Sequence, residues 1–237
     1  MSYLEWPRRV AALGQFRVED PEHPVLGKDD EHHLRSVLRA RTGEEVVVTN
    51  GRGAWSLCDV GDVALTRVTP VHHDPTTSLT TLYLAPLKGD RSEWAVGKAT
   101  ELGVSRIVPL VSERVIVKFK GETRDKIVTR WRRIAGESCG QCRRTYDVEV
   151  GEPVDVANVP DGVSIGDFDG ESNWNGVTSV AIGPEGGWAP GEWAEDRRRL
   201  SLGPTVLRAE TAGIVAAALL AFGAGGWGFT LDAQASQ

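Results

Sequence analysis

The sequence predicts an α/β protein: a small β-rich amino-terminal part, then a longer part of alternating strands and helices. Three observations carry this. Val46-Val47-Val48-Thr49 is a β-branched run closed by Asn50-Gly51, the strongest short hairpin signal, in which both turn positions require φ > 0. From Leu79 onward, apolar strands alternate with segments of helical period, the pattern of a mostly parallel sheet covered on both faces. Two loops rich in glycine and proline each leave a short strand and enter a helix.

In order along the chain, Asp30–Ala40 reads as one short helix with His32, His33 and Arg35 near its start. Glu45–Thr49, Trp55–Val60 and Val63–Val68 read as strands, and the polar stretch Val71–Ser78 as a linker. Leu79–Ala85 is the next strand. A helix begins at Asp90 with Glu93 as capping-box partner, carries an apolar stripe of Ala95, Ala99 and Leu102, and stops at Gly103. Ile107–Val111 is a strand. Thr123–Cys139 is a longer helix with Ile127, Trp131, Ile134 and Ser138 inward and Lys126, Arg130 and Arg133 on another face. Val177–Ile182 and Leu200–Leu202 are strands. Pro190 is placed to start a helix through Trp193. Glu210–Phe222 is apolar nearly all round and therefore expected to be buried.

The 237 residues are 41% hydrophobic and 25% charged, the balance of a globular protein. The longest apolar run, Ala212–Gly225, is too short to cross a bilayer. Met1–Glu5 has no apolar stretch after a basic start, so no signal peptide and a cytoplasmic location are expected. Three cysteines cannot build a disulfide framework. Cys139 and Cys142 have C-x-x-C spacing, but no second pair supplies four zinc ligands and no thioredoxin-like unit surrounds them. Reduced, structural thiols are expected. His32 and His33 lack a third ligand, so no metal is expected; one should pack in the core and the other face solvent. The net charge of −6 argues against nucleic acid. Its distribution does not: Glu113–Arg144 holds ten basic residues against four acids, whereas residues 145–237 hold four against fourteen. Such a basic stripe can bind a polyanion locally; a solvated helix face accounts for the same pattern.

The chemistry is concentrated in the two loops, Gly183-Pro184-Glu185-Gly186-Gly187-Trp188 and Leu202-Gly203-Pro204-Thr205-Val206-Leu207-Arg208-Ala209-Glu210-Thr211-Ala212. Open α/β sheets bind ligands outside the carboxyl ends of their strands, and glycines let backbone approach a ligand closely. One such loop alone would be only a tight turn. Neither a Walker-type phosphate loop nor a G-x-G-x-x-G fingerprint is present, which weakens a nucleotide-binding reading.

These loops resemble those of the RsmE family, the 16S ribosomal RNA uracil-N3 methyltransferases of the SPOUT class. Further similarity lies in Lys98-Ala99-Thr100-Glu101-Leu102-Gly103-Val104, in Ser112-Glu113-Arg114, in Gln141 with Arg144, and in His33, Val37-Leu38-Arg39, Gly43 and Asn50-Gly51-Arg52-Gly53. It spans nearly the whole chain in the family's order. Trp188 stands for a usual Phe, Ala209 for Thr, Cys139 and Cys142 for Ala and Ser, and Thr145-Tyr146 for a Pro-containing turn. Met1–Arg9 matches nothing in the family.

The resemblance implies a PUA-like RNA-binding β-barrel over residues 1–74 and a SPOUT α/β domain with a deep trefoil knot over 75–237. It also implies a homodimer, with S-adenosyl-L-methionine as methyl donor and, as substrate, the uridine conventionally numbered 1498 in the small ribosomal subunit. Cofactor contacts are expected from Leu84, Gly183, Pro184, Glu185, Gly186, Gly187, Leu202, Gly203, Leu207, Arg208, Thr211 and Ala212. Methylation of uracil N3 requires loss of its proton. Arg208 is expected to stabilise the developing anion, and Glu185 or Glu210 to accept the proton; an Arg208–Glu210 ion pair is the structural alternative. RNA contacts are expected from Arg35, Arg39, Arg52, Arg114, Lys118, Arg130, Arg133 and Arg144. Competing functions are a SPOUT methyltransferase acting on another RNA such as tRNA, and a non-catalytic RNA-binding assembly factor.

Overall fold

The computed structural model describes residues 5–76, 78–116 and 121–223. Its contacts separate two compact units, residues 1–76 with 136–147 and residues 77–135 with 148–237. The return of residues 136–147 to the first unit had no sequence signal.

In the first unit, β1 (Gln15–Arg17) lies parallel to β2 (Glu45–Thr49). β2 runs antiparallel to β3 (Ala54–Val60), and β3 pairs with both β4 (Leu65–Arg67) and β5 (His72–His73). The side-chain alternation of a strand explains why all three valines of β2 are buried: Val46 and Val48 pack with Phe16, Leu34 and Cys58, while Val47 packs with Ala12, Trp55 and Leu57 on the other face. Burial pushes the Cys58 thiol up to about 11, as expected for an unreactive structural cysteine.

Several local expectations change. The β2–β3 turn is wider than a two-residue hairpin. Thr49 pairs with Trp55, the positive φ falls on Gly51 and Gly53 rather than on Asn50, and Asn50 Oδ1 accepts hydrogen bonds from the Arg52 and Ala54 amides at 2.8 and 3.2 Å, an Asx-type closure. The expected single helix is α2 (Lys28–His32) running into a π-turn, His33–Val37, that ends at left-handed Arg39. His32 and His33 are both exposed, His33 meeting Phe16 edge-on at 6.2 Å. The stretch read as a linker contains β5, whose His72 stacks on Trp55 at 4.6 Å. The unaligned amino terminus forms α1 (Trp6–Ala11) and buries Arg9. Residues 145–147 close on the β2–β3 loop: Gly53 N–H donates to Thr145 O, Asp147 N–H donates to Gly51 O, and Arg52 bridges Tyr146.

The second unit is built on a parallel sheet in the order β12 (Arg199–Leu200), β10 (Ser164–Glu171), β11 (Ser179–Ile182), β6 (Thr81–Leu84), β7 (Arg106–Val111), β8 (Glu149–Val150), with β9 (Val154–Asp155) also on β7. One face, through Leu82, Leu84, Ile107, Val180 and Ile182, packs under α3 (Arg91–Glu101), the first part of α4 (Glu122–Gln141) and α5 (Ala209–Gly223). The other face, through Tyr83, Val108, Ile165 and Ala181, is covered by Val156, Val159, Val163 and Trp193 rather than by an α-helix. Trp131 on α4 is buried, with Ile127 and Ile134 packed at its side.

Three helix expectations are corrected. Asp90 makes no side-chain cap on α3; Glu93 instead pairs with Arg130 at 2.6 Å. No helix starts at Pro190. Gly191 is left-handed, and the Glu192 carboxylate accepts the Glu113 and Ala189 amides at 2.6 and 2.9 Å, which holds the chain in a turn. α5 is buried along Ala209, Ala212, Gly213, Ala216, Ala217 and Leu220, but leaves Ile214, Val215 and Leu219 only half-buried and Phe222 exposed. Among the described residues no helix is long and apolar enough to cross a membrane.

Candidate methyl-donor cleft

Because β12, β10, β11 and β6 all run the same way, their carboxyl ends share one edge of the sheet, where ligand sites of open α/β folds form. The two glycine-rich loops meet there and line a cleft of about 570 Å³, a size suited to a small ligand. Gly183 follows β11 and lies beneath the Trp188 ring, whose atoms stand 3.1–3.2 Å from where a Cβ would be. The Trp188 indole N–H donates to Gly166 O at 3.1 Å, tying the first loop to β10. Gly187 and Gly203 occupy positive φ of 65° and 126°, conformations that cost a side chain strain.

Of the expected cofactor residues, Gly183, Pro184, Glu185, Gly187, Leu202, Gly203, Leu207, Arg208 and Ala212 line this cleft. Leu84, Gly186 and Thr211 do not. Leu84 is buried in the core beneath, 3.1 Å from where a Gly213 Cβ would sit, so it fixes how closely α5 lies on β6. Gly186 faces outward to Arg114, which donates to its carbonyl at 3.0 Å. The cleft also holds residues absent from the sequence expectation: Arg91 from the first turn of α3, and Gly166, Asp167 and Phe168 from β10. Phe168 and Val206 are apolar yet 58% and 86% exposed.

The three expected catalytic residues differ in position. Glu185 lines the cleft; its carboxylate accepts the Lys88 amide at 3.3 Å and stands 3.6 Å from the Arg91 guanidinium. Glu210 is buried, with Oε1 4.0 Å from Arg91 and Oε2 lacking any hydrogen-bond partner. Arg208 is exposed and, among the described residues, pairs with no carboxylate. The alternative of an Arg208–Glu210 ion pair is therefore not realised; Arg91 takes that place. The one available signal for Arg91 was its position, at the start of the helix that follows a central strand.

The expected RNA-binding residues divide between the units. In the first, Arg35 pairs with Glu31 at 2.9 Å and donates to Gly61 O at 2.7 Å, Arg39 and Arg52 are exposed, and Arg144 is half-buried. In the second, Arg114, Arg130 and Arg133 are exposed. Lys118 lies outside the described residues. Among the described residues, no group of three or more His, Cys, Asp or Glu is placed to hold a metal ion, and Cys58, Cys139 and Cys142 are not joined in disulfides.

A family model for an RNA methyltransferase domain matches residues 75–221, well over half of the chain and all of the cleft. The chain belongs to this RNA methyltransferase family. A second model, for an RNA methyltransferase PUA domain, matches residues 26–67. The chain is similar to a ribosomal RNA small subunit methyltransferase E of Bacillus subtilis, at 27% identity over 86% of this chain and 91% of that one. It is also similar to the enzyme of the same description from Mycobacterium tuberculosis, at 29% identity over 81% and 83%. Among solved structures, a Legionella pneumophila protein described as a methyltransferase in complex with the bound cofactor SAM superposes with a TM-score of 0.75, at 28% identity over 88% of this chain and 96% of that one. A ribosomal RNA small subunit methyltransferase E from Neisseria gonorrhoeae, bound to S-adenosyl methionine, gives 0.71 at 25% identity over 88% and 97%.

Proposed function

We propose that this RNA methyltransferase transfers the methyl group of S-adenosyl-L-methionine to N3 of a uridine in 16S ribosomal RNA, at the position conventionally numbered 1498, acting as a cytoplasmic homodimer. The observation that carries the reading is the cleft itself: two glycine-rich loops at the carboxyl ends of parallel strands, with the exposed apolar side chains of Phe168 and Val206 beside exposed Arg208, in a chain of the RNA methyltransferase family. The relatives described as ribosomal RNA small subunit methyltransferases, and the structural neighbours bound to S-adenosylmethionine, support it.

The residues present suit that cofactor. Phe168 and Val206 offer apolar surface to a purine, and the backbones around Gly183, Gly187, Leu202 and Leu207 offer donors and acceptors at close approach. When bound, S-adenosyl-L-methionine supplies an electrophilic methyl group on its sulfonium. The chain must hold the uracil in line with that methyl and favour its anion. Exposed, unpaired Arg208 is suited to stabilise charge on the uracil oxygens. Between the two carboxylates, Glu185 is the one that lines the cleft and is therefore assigned the N3 proton, directly or through water. Arg208→Ala is expected to lower kcat by about a hundredfold with cofactor affinity retained; an unchanged rate removes Arg208 from the mechanism.

The finer architecture belongs to the same reading. The chain leaves β12 at the sheet edge and α5 packs on β11 and β6 further in, a return over the sheet that supports the trefoil-knot reading. The half-buried apolar side of α5 supplies a surface for a second copy. The five-stranded sheet of the first unit is read as the PUA-like RNA-binding barrel. Methylation of small subunits from a strain lacking this activity, with the modified nucleoside mapped by mass, tests the substrate. Modification of transfer RNA instead, or absence of S-adenosylmethionine binding by calorimetry, would point to the competing functions.

A further inference from the structure

Arg91 projects into the cleft from α3, 44% exposed at its side chain. It faces Glu185 at 3.6 Å and Glu210 at 4.0 Å, and makes a side-chain hydrogen bond to neither, nor to any other described residue. A guanidinium carries five N–H donors in a planar fork, so an ion-pair neighbourhood with no hydrogen bonds leaves that fork unused. Beside it stands the converse. The Glu210 side chain is 9% exposed and its Oε2 is a buried acceptor without a donor. Leaving a buried acceptor unsatisfied is costly, and more so when it is charged. One cation between two carboxylates leaves the cluster with an excess negative charge. A ligand that resolves all three features brings a carboxylate for the fork and a cationic N–H donor for the orphan oxygen. An α-amino-acid head group carries both on one carbon.

We propose that Arg91 binds the α-carboxylate, and Glu210 the α-ammonium, of the amino-acid end of the methyl donor. Arg91 thereby moves from loose pairing with Glu185 and Glu210 to a bidentate carboxylate contact, the geometry a guanidinium favours. The assignment rests on the S-adenosylmethionine reading. It predicts that the amino-acid end and the nucleoside end are recognised by separable groups.

The test is calorimetry or competition binding with two ligands, S-adenosylhomocysteine, which keeps the amino-acid end, and methylthioadenosine, which lacks it. Arg91→Ala is expected to weaken S-adenosylhomocysteine by at least about tenfold, as for loss of a charge-assisted hydrogen bond, and to leave methylthioadenosine within about twofold. Glu210→Gln is expected to show the same selectivity with a smaller loss, and serves as a second arm if Arg91→Ala does not fold. Equal weakening of both ligands would mean that Arg91 only supports the cleft, and overturns the proposal. Unchanged affinity for S-adenosylhomocysteine also overturns it. A wild-type protein that binds neither ligand fails at the level of the donor reading, a result distinct from the other two.

Discussion

Each unit contains an arginine beside a nearly buried carboxylate, and the two pairs are built in opposite ways. In the first unit, Asp74 Oδ2 accepts from Arg9 at 2.8 Å and from Thr145 at 2.7 Å, while Oδ1 accepts from the Trp55 indole at 3.0 Å. The Arg9 guanidinium also lies over Trp55 and Trp6, at 4.7 and 5.2 Å from the ring centroids. In the second unit, Arg91 and Glu210 stand 4.0 Å apart, and Glu210 Oε2 has no donor. The first carboxylate is satisfied from within the chain, so nothing further is needed to hold it. The second is left with unused capacity at the edge of a cleft. A carboxylate satisfied from within holds the fold together, and a carboxylate oxygen without a donor beside a cleft is a place for a ligand to complete the structure.

The largest test of this contrast removes the arginine from the satisfied carboxylate. Arg9→Ala leaves Asp74 buried beside two neutral donors and is expected to destabilise the first unit by about 3 kcal/mol, measured as a shift of the urea midpoint for that unit. Calorimetry on the folded variant is expected to show unchanged S-adenosylhomocysteine affinity. A loss below about 1 kcal/mol would make the pair no stronger than a surface salt bridge. Next comes Arg91→Lys, which keeps the charge but replaces the fork by a point charge. Its affinity for S-adenosylhomocysteine is expected to fall by about three- to fivefold, between wild type and Arg91→Ala. Full retention would reduce the site to simple charge attraction.

The smallest effect is in acid. Burial would raise the Asp74 carboxyl, but hydrogen bonds from Thr145 and Arg9, the charge of Arg9 and the Trp55 indole outweigh it and hold the group below its ordinary value of 3.8. A carboxyl depressed in the folded state contributes stability that is present above the unfolded value and lost as the pH falls through the folded one. The stability of the wild-type first unit should therefore drop further below pH 3.8 than that of Asp74→Asn. Parallel unfolding curves in acid would remove Asp74 from the acid response.

The contrast also separates what could be read along the chain from what could not. The loops around Gly183 and Gly203 were legible because glycine and proline punctuate a chain locally, and their order after short strands places them at a sheet edge. The strands of the second unit were legible because apolar runs bounded by turns leave few alternatives. The expected helix at Pro190 failed because the Glu192 side chain bonds the Glu113 and Ala189 amides, which is not visible in a window around proline. The capping role given to Glu93 failed for a similar reason: Arg130, on another helix, takes its carboxylate. The basic stripe read as one surface divides between two units, because residues 136–147 pack with the amino-terminal part.

By itself the sequence determined the α/β class, the two-part organisation, the positions of the glycine-rich loops and, through its resemblance, the family. These follow from periodicity, turn chemistry and short motifs, all properties of neighbouring residues. Only the tertiary structure decided that Glu185 lines the cleft while Glu210 is buried against Arg91, that Arg208 pairs with no carboxylate among the described residues, and that Arg91 lies between the two carboxylates. Those four side chains come from three segments of the chain, and hydrogen bonding and ion pairing depend on distances that only the folded sheet sets.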